Sequence, residues 1–260
     1  MQTKQKLTLV KVGGQIVEEK SSLYRLLDDF SALEGYKVLV HGGGRLASKI
    51  AAQLGIESHM VDGRRITDAE MLKVVTMVYG GLVNKDITAG LQARGINALG
   101  LTGADMDIVR SVKRPVKEVD YGFVGDVSRV NVSFLAELIR KNIVPVIAPL
   151  THDGKGNILN TNADTIAGET AKAFSAFFDV VLIYCFEKRG VLRNEDDNES
   201  IIPRITRTDF EQYTAEGIIR GGMIPKLQNA FDAIEAGVSE VVITSASAID
   251  GKEGTHIKTV

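Results

Sequence analysis

A lysine inside an otherwise apolar run, Leu7-Thr8-Leu9-Val10-Lys11-Val12, runs straight into Gly13-Gly14, and no other feature constrains this chain as much. A run this apolar reads as a central parallel strand covered on both faces, where an ammonium is expensive unless an anion meets it. The glycines let backbone N–H groups come close to such an anion, whether phosphate or carboxylate. The competing reading is a strand-end lysine that reaches water past a tight turn.

Strand-like runs alternate with helix-periodic segments along most of the 260 residues, which predicts an α/β fold: a largely parallel central sheet sandwiched by helices. Further strands are expected at Val38–His41, Asn97–Leu101, Val144–Pro149, Val180–Tyr184 and Val241–Thr244. Helices are expected over 47–54, as one long element from Asp68 to Ala93, from an Asn131 cap to about Lys141, from Asn162 to about Phe174, near Asp209 to Ala215, and from Met223 to Ala236. Short alternating stretches around Gly122 and Gly125 predict antiparallel hairpins on an edge of the sheet. The length allows two lobes around a cleft, with the strand at Val180 opening the second, so 1–175 and 176–260 are the expected units.

Composition narrows the partner. Lys and Arg total 31 against 33 Asp and Glu, without the basic excess that nucleic-acid binding needs, so a small molecule is expected. No apolar stretch approaches the roughly 18 residues of a membrane span, and the polar Met1–Lys6 leaves no room for a signal peptide. Cys185 alone gives neither a disulfide framework nor a thiol metal cluster and fits a reducing cytoplasm. Four histidines without zinc-type spacing make no case for a protein-bound metal.

Four further segments carry candidate chemistry. His41-Gly42-Gly43-Gly44 follows a strand and precedes a helix, so its amides can converge on an anion. Arg65-Ile66-Thr67-Asp68 leads into the long helix; an arginine there is poorly placed for the helix dipole but well placed to grip a carboxylate. Asn160-Thr161-Asn162-Ala163-Asp164 contains more polar groups than a helix cap requires. Gly222-Met223-Ile224-Pro225-Lys226 sets a cation near the positive end of a helix, which is unfavourable unless an anion lies between them. A phosphate loop of the G-x-x-x-x-G-K-[ST] kind is absent, and G-x-G-x-x-G is met only with Ala47 in the last place.

In this order, Lys11-x-Gly13-Gly14, His41-Gly42-Gly43-Gly44, Arg65-x-Thr67, Asn160-x-Asn162-Ala163-Asp164, Gly222-Met223-x-x-Lys226 and Gly254-Thr255, the chain resembles the amino acid kinase family, most of all its branch acting on N-acylglutamate. The resemblance implies transfer of the ATP γ-phosphoryl group, with Mg2+ carried mainly by the nucleotide, to the γ-carboxylate of an N-acetyl- or N-succinyl-glutamate in arginine biosynthesis. It implies catalytic roles for Lys11, Lys226 and Asp164. Gly43, Gly44, Arg65 and Asn160 would bind the acylglutamate, and Lys11, Gly13, Gly14, Gly222 and Lys226 the nucleotide. Another amino acid kinase, such as a glutamate 5-kinase, or a silent nucleotide sensor of the same fold, is the alternative.

Two departures from the family pattern stand out. Arg64 stands where similar kinases usually carry a leucine; the resemblance would set its guanidinium near the acyl chain, in reach of a succinyl carboxylate, the competing reading being a solvent-facing arginine. Tyr184-Cys185-Phe186-Glu187-Lys188-Arg189-Gly190 replaces a T-D-V-like segment, so no nucleotide contacts are assigned there. The first strand begins within about ten residues of Met1, without the extra N-terminal helix of arginine-inhibited hexameric relatives. A homodimer insensitive to arginine, joined partly through the long helix after Asp68, is therefore expected.

Overall fold

The computed structural model describes residues 4–61 and 63–259. An eight-stranded sheet runs through both halves of the chain in the order Arg204–Ile205, Thr255–Ile257, Glu240–Ser245, Asp179–Phe186, Lys6–Val12, Tyr36–His41, Val144–Ile147, Ala98–Leu101. Every pairing is parallel except that of Thr255–Ile257 with Glu240–Ser245. The strand order reverses between Lys6–Val12 and Asp179–Phe186, and at such a reversal the carboxyl ends of the strands open a crevice.

Side-chain alternation divides the core by face of the sheet rather than by half of the chain. Leu7, Leu9, Val38, Val40, Leu182 and Tyr184 pack on one face with Ile166, Ala171 and Phe174 of the helix Ala163–Phe174 and Leu227, Ala230 and Phe231 of the helix Met223–Glu235. Val10, Val12, Leu39, Val146, Ile183 and Cys185 pack on the other with Leu23, Leu26, Leu27 and Phe30 and with the long helix that begins at Ala69. Lys11 shares the parity of Leu7 and Leu9, so it faces the helix Ala163–Phe174. Pro145 is harmless inside the sheet: Val144 N–H turns toward Asn97, so the missing donor at Pro145 lies on the side where pairing with Tyr36–His41 begins only at Val146.

Several expectations are revised. The hairpin region is not an edge of the main sheet. Val109–Lys113 and Gly125–Val130 do pair antiparallel, but in a separate four-stranded sheet with Leu150–His152 and Ile158–Asn160. The run expected as one strand to Pro149 stops at Ile147, and the chain changes sheets across Ala148-Pro149. Asn131 precedes the helix Val132–Arg140 without capping it; its side-chain amide donates instead to the Met106 carbonyl. The long helix is continuous from Ala69 to Gln92, yet Thr76–Val83 is π-helical. Gly14–Glu18 and Lys20–Ala32 are helices that were not anticipated, although Leu23, Leu26, Leu27 and Phe30 have the i, i+3, i+4, i+7 spacing of a buried stripe.

Candidate functional site

Two glycine loops meet backbone to backbone at the carboxyl ends of neighbouring strands. A Cβ on Gly14 would lie 3.3 Å from the nitrogens of both Gly43 and Gly44, and one on Gly42 would lie 3.1 Å from Gly14 nitrogen. Gly13 N–H is taken by the Cys185 carbonyl at 3.2 Å and Gly42 N–H by the Val12 carbonyl at 2.9 Å. Gly14 and Gly44 each open a helix and Gly43 precedes one, so their N–H groups have no intrahelical acceptor. All three line the crevice, where such groups are able to meet an anion. Gly43 has φ +155°, and a Cβ there would meet the buried Tyr79 ring at 2.9 Å. Tyr79 lies in the π-helical stretch, an irregularity often found at functional sites.

His41 is fully buried and held in one tautomer: Nδ1–H donates to the Gly42 carbonyl at 2.7 Å, leaving Nε2 to accept from the Asn84 side-chain amide at 3.2 Å. Burial drives its pKa from 6.5 down to about 4, so it is neutral and serves to hold the glycine loop.

Lys11 and Asp164 form an ion pair at 2.5 Å, with side chains only 8% and 14% exposed. Asp164 is placed there by its helix, since Asn162 caps the first turn by accepting from the N–H groups of Asp164 and Thr165 at 2.8 and 3.1 Å. Lys226, in the first turn of Met223–Glu235, faces the same pair. Its pKa is lowered by burial first and by Lys11 second, while Asp164 and Glu187 hold it up.

Both lysines lie over the ring of Phe186. Lys226 Nζ lies 3.8 Å and Lys11 Nζ 5.0 Å from its ring centroid, so both ammonium groups meet the negative face of one aromatic ring. Residues 182, 184 and 186 share one face of their strand, and Lys11 pairs with Tyr184, which explains why Phe186 projects here. A cavity of about 680 Å³ is lined by Lys11, Gly13, Gly14, Asp164, Phe186 and Lys226 among others. Gly222 is exposed, at φ −64°, and does not line it.

A smaller cavity of about 180 Å³ adjoins the glycine loop and is lined by Gly43, Gly44, Arg64, Arg65, Tyr79 and Asn160 among others. Arg65 is buried and heavily engaged: it donates to the Gly44 carbonyl at 2.8 Å, to Ser48 Oγ at 2.9 Å and to Ser58 Oγ. Asn160 donates to Thr67 Oγ1 at 2.9 Å, which ties the R-x-T segment to the strand Ile158–Asn160. Arg64 is half-buried and has no hydrogen bond or ion pair among the described residues.

Sequence reasoning thus placed Lys11, Gly13, Gly14, Gly43, Gly44, Arg64, Arg65, Asn160, Asp164 and Lys226 around one crevice. It missed Ser48, Ser58, Tyr79 and Phe186. Ser48 sits one turn beyond Gly44, and Phe186 falls in the segment already marked as unusual; Ser58 and Tyr79 carry no local signal.

The model of the amino acid kinase family matches residues 6–245. Acetylglutamate kinase of Bacteroides thetaiotaomicron is 74% identical over 255 residues, covering 98% of this chain and 99% of its own length. That of Methanopyrus kandleri is 42% identical over 256 residues, covering 97% of this chain and 100% of its own length. Among solved structures, N-acetylglutamate synthase from Neisseria gonorrhoeae aligns with a TM-score of 0.82 at 20% identity, over 98% of this chain and 59% of that one. Giardia carbamate kinase aligns with a TM-score of 0.68 at 15% identity over the whole of both chains. At these identities the structural likeness speaks for the fold alone, and the family match and the sequence relatives carry the conclusion that the chain belongs to the amino acid kinase family.

Proposed function

We propose that this protein transfers the γ-phosphoryl group of ATP to the γ-carboxylate of an N-acyl-L-glutamate, the acetylated compound being the one in the relatives' name. The observation that carries this reading is the set Lys11, Asp164 and Lys226 beside the open N–H groups of Gly14, Gly43 and Gly44. A carboxylate oxygen attacks the γ-phosphorus, its bond to the bridging oxygen breaks, and ADP leaves. The nucleophile is already ionised near neutrality, since a glutamate carboxyl has a pKa of about 4.3, so no general base is required. What remains is charge stabilisation, the main demand of phosphoryl transfer.

In this reading Lys11 and Lys226 approach the transferring group from the nucleotide side, and the glycine N–H groups hold the attacking carboxylate and the phosphoryl oxygens. Asp164 keeps the lysines in register. Arg65 and Asn160 fix the α-carboxylate, which would replace serine hydroxyls on Arg65, a favourable exchange for a charge-assisted pair. Gly222 would contribute only once nucleotide covers its helix end. Among the described residues no group of three or more His, Cys, Asp or Glu could hold a metal, and Asp164 and Glu187 are the acidic residues lining the large cavity. That donor set fits magnesium carried by the nucleotide phosphates, where it supplies charge neutralisation.

The small cavity is lined only by residues between Gly42 and Ala163, and the large one draws on both halves, which supports 1–175 as the acylglutamate unit and 176–260 as the main nucleotide unit. A homodimer through the long helix, which exposes Met77 and Leu82, belongs to the same proposal. A reducing cytoplasm suits the lone Cys185, whose buried thiol is pushed up to about 12. Among the described residues no helix is long and apolar enough to cross a membrane. Hydroxylamine trapping tests the reaction: Mg-ATP with N-acylglutamates should give a hydroxamate and free glutamate little. No hydroxamate from any N-acylglutamate would reject the proposal.

A further inference from the structure

Arg64 and Arg65 are neighbours in a short antiparallel ribbon in which Met60–Val61 pairs with Arg64–Arg65. Their situations are opposite. The donors of Arg65 are occupied by Gly44, Ser48 and Ser58, whereas Arg64, half-buried, has no partner of either kind among the described residues. A guanidinium carries five donors, and leaving them unmatched while partly desolvated is unfavourable unless a ligand arrives.

Arg64 also joins two spaces. It lines the small cavity beside Gly43, Gly44 and Asn160, and it lines a neighbouring cavity of about 530 Å³ with Arg114, Lys117, Glu118, Tyr121 and Asp126. The groups facing it are mixed: burial and Arg114 disfavour its charge, and Asp126 and Tyr121 favour it. Asp126 is already committed to Arg114, whose Nε lies 3.2 Å from both carboxylate oxygens, and Arg114 stacks on Tyr121 with its guanidinium carbon 5.4 Å from the ring centroid. Arg114 is thereby held by Asp126 and Tyr121, whereas Arg64, like Lys117 in the same cavity, has no ion-pair partner among the described residues.

We infer that the acyl group of the substrate ends in a carboxylate, as in a succinyl group, and that Arg64 binds it at the junction of the two cavities with Arg114 behind it. This inference rests on the N-acylglutamate kinase reading and specifies its substrate. An acetyl methyl offers a guanidinium nothing, while a terminal carboxylate on a short methylene chain can be gripped bidentately. A site that pairs a charged group discriminates against an analogue without it, because its own polar group is then left unpaired; at a half-buried arginine we expect roughly 10- to 100-fold.

The experiment compares kcat/KM of the full chain with Mg-ATP for N-acetyl-L-glutamate, N-succinyl-L-glutamate and the succinamoyl isostere, in which the terminal carboxylate is a neutral amide of the same size. The inference expects the succinyl compound to exceed both others by at least about tenfold in the wild type. It further expects Arg64→Leu to reduce the succinyl-to-acetyl ratio by a similar factor, and Arg64→Lys to fall between because it keeps charge without the fork. A wild-type ratio at or below one, equal rates for the succinyl compound and its amide, or an unchanged ratio in Arg64→Leu would overturn it. The isostere comparison needs no variant, so a misfolded Arg64→Leu does not remove the test. If none of the three compounds is phosphorylated, the kinase reading itself fails and this inference falls with it. Phosphorylation of the acetyl compound in preference to the succinyl one leaves the kinase reading standing and rejects the carboxylate site alone.

Discussion

Replacing Asp164 by asparagine removes one charge from the centre of the crevice and changes almost nothing in shape. The ion pair it breaks is 2.5 Å long, and its side chains are 8% and 14% exposed, which puts it among buried pairs rather than the surface pairs worth about 0–1 kcal/mol. Removing one partner of a buried pair typically costs about 3–5 kcal/mol, because the other charge is left uncompensated. The pair borders an open cavity and the asparagine oxygen can still accept from Lys11, so the lower end, about 3 kcal/mol, is expected. For a chain of this size that is a fall in Tm of roughly 6–12 °C. Mg-ATP should then raise the Tm of Asp164→Asn by more than it raises that of the wild type, since its phosphates supply the missing negative charge.

The same substitution has a signed effect on pH dependence. Burial lowers the Lys226 pKa and the Asp164 carboxylate opposes it, so its loss lowers that pKa further. Catalysis needs the protonated lysine, so the alkaline limb of kcat should move to lower pH in Asp164→Asn, with turnover at neutral pH falling about 10²–10³-fold. Scanning calorimetry with and without Mg-ATP and a kcat profile from pH 6 to 10 read all three effects. A Tm change below about 2 °C together with an unmoved alkaline limb would show that Asp164 does not hold the lysine pair.

Gly43→Ala should destabilise the protein by roughly 2–6 kcal/mol in urea titration, combining strain at φ +155° with a Cβ driven into the buried Tyr79 ring. Gly222→Ala, at φ −64° with open space around it, should stay within about 0.5 kcal/mol of wild type, so a large loss of nucleotide affinity there would reveal a binding role that its geometry alone does not supply. His41 is buried neutral with its pKa depressed from 6.5 to about 4, so its contribution is complete above pH 6.5 and is lost as pH falls through 4. Up to about 3 kcal/mol of acid destabilisation over that window should therefore be missing in His41→Gln, as urea midpoints at stepped pH would show. Light scattering should give a dimer for the wild type and a monomer for Met77→Glu with Leu82→Glu, and a wild-type monomer would refute the assigned interface.

What the sequence determined by itself is whatever depends on near neighbours along the chain. The apolar run at 7–12 set a buried strand with Lys11 inside it, and the Asn162 cap placed Asp164 in the first turn of its helix. The joint motif order then gave the family and the set of residues that share the crevice. The stripe of Leu23, Leu26, Leu27 and Phe30 is equally legible in the sequence. Tertiary structure decided what these residues touch. Phe186 meets Lys11 only because strands some 170 residues apart in sequence lie side by side in a fixed register. Arg65 is engaged by serines from two other segments while Arg64 is not, although the two adjoin in sequence and share one residue type. Propensity and periodicity act over a few residues, whereas burial, pairing of charge and the steric reach of Tyr79 toward Gly43 are set by which surfaces the whole fold presses together, and no local pattern records that.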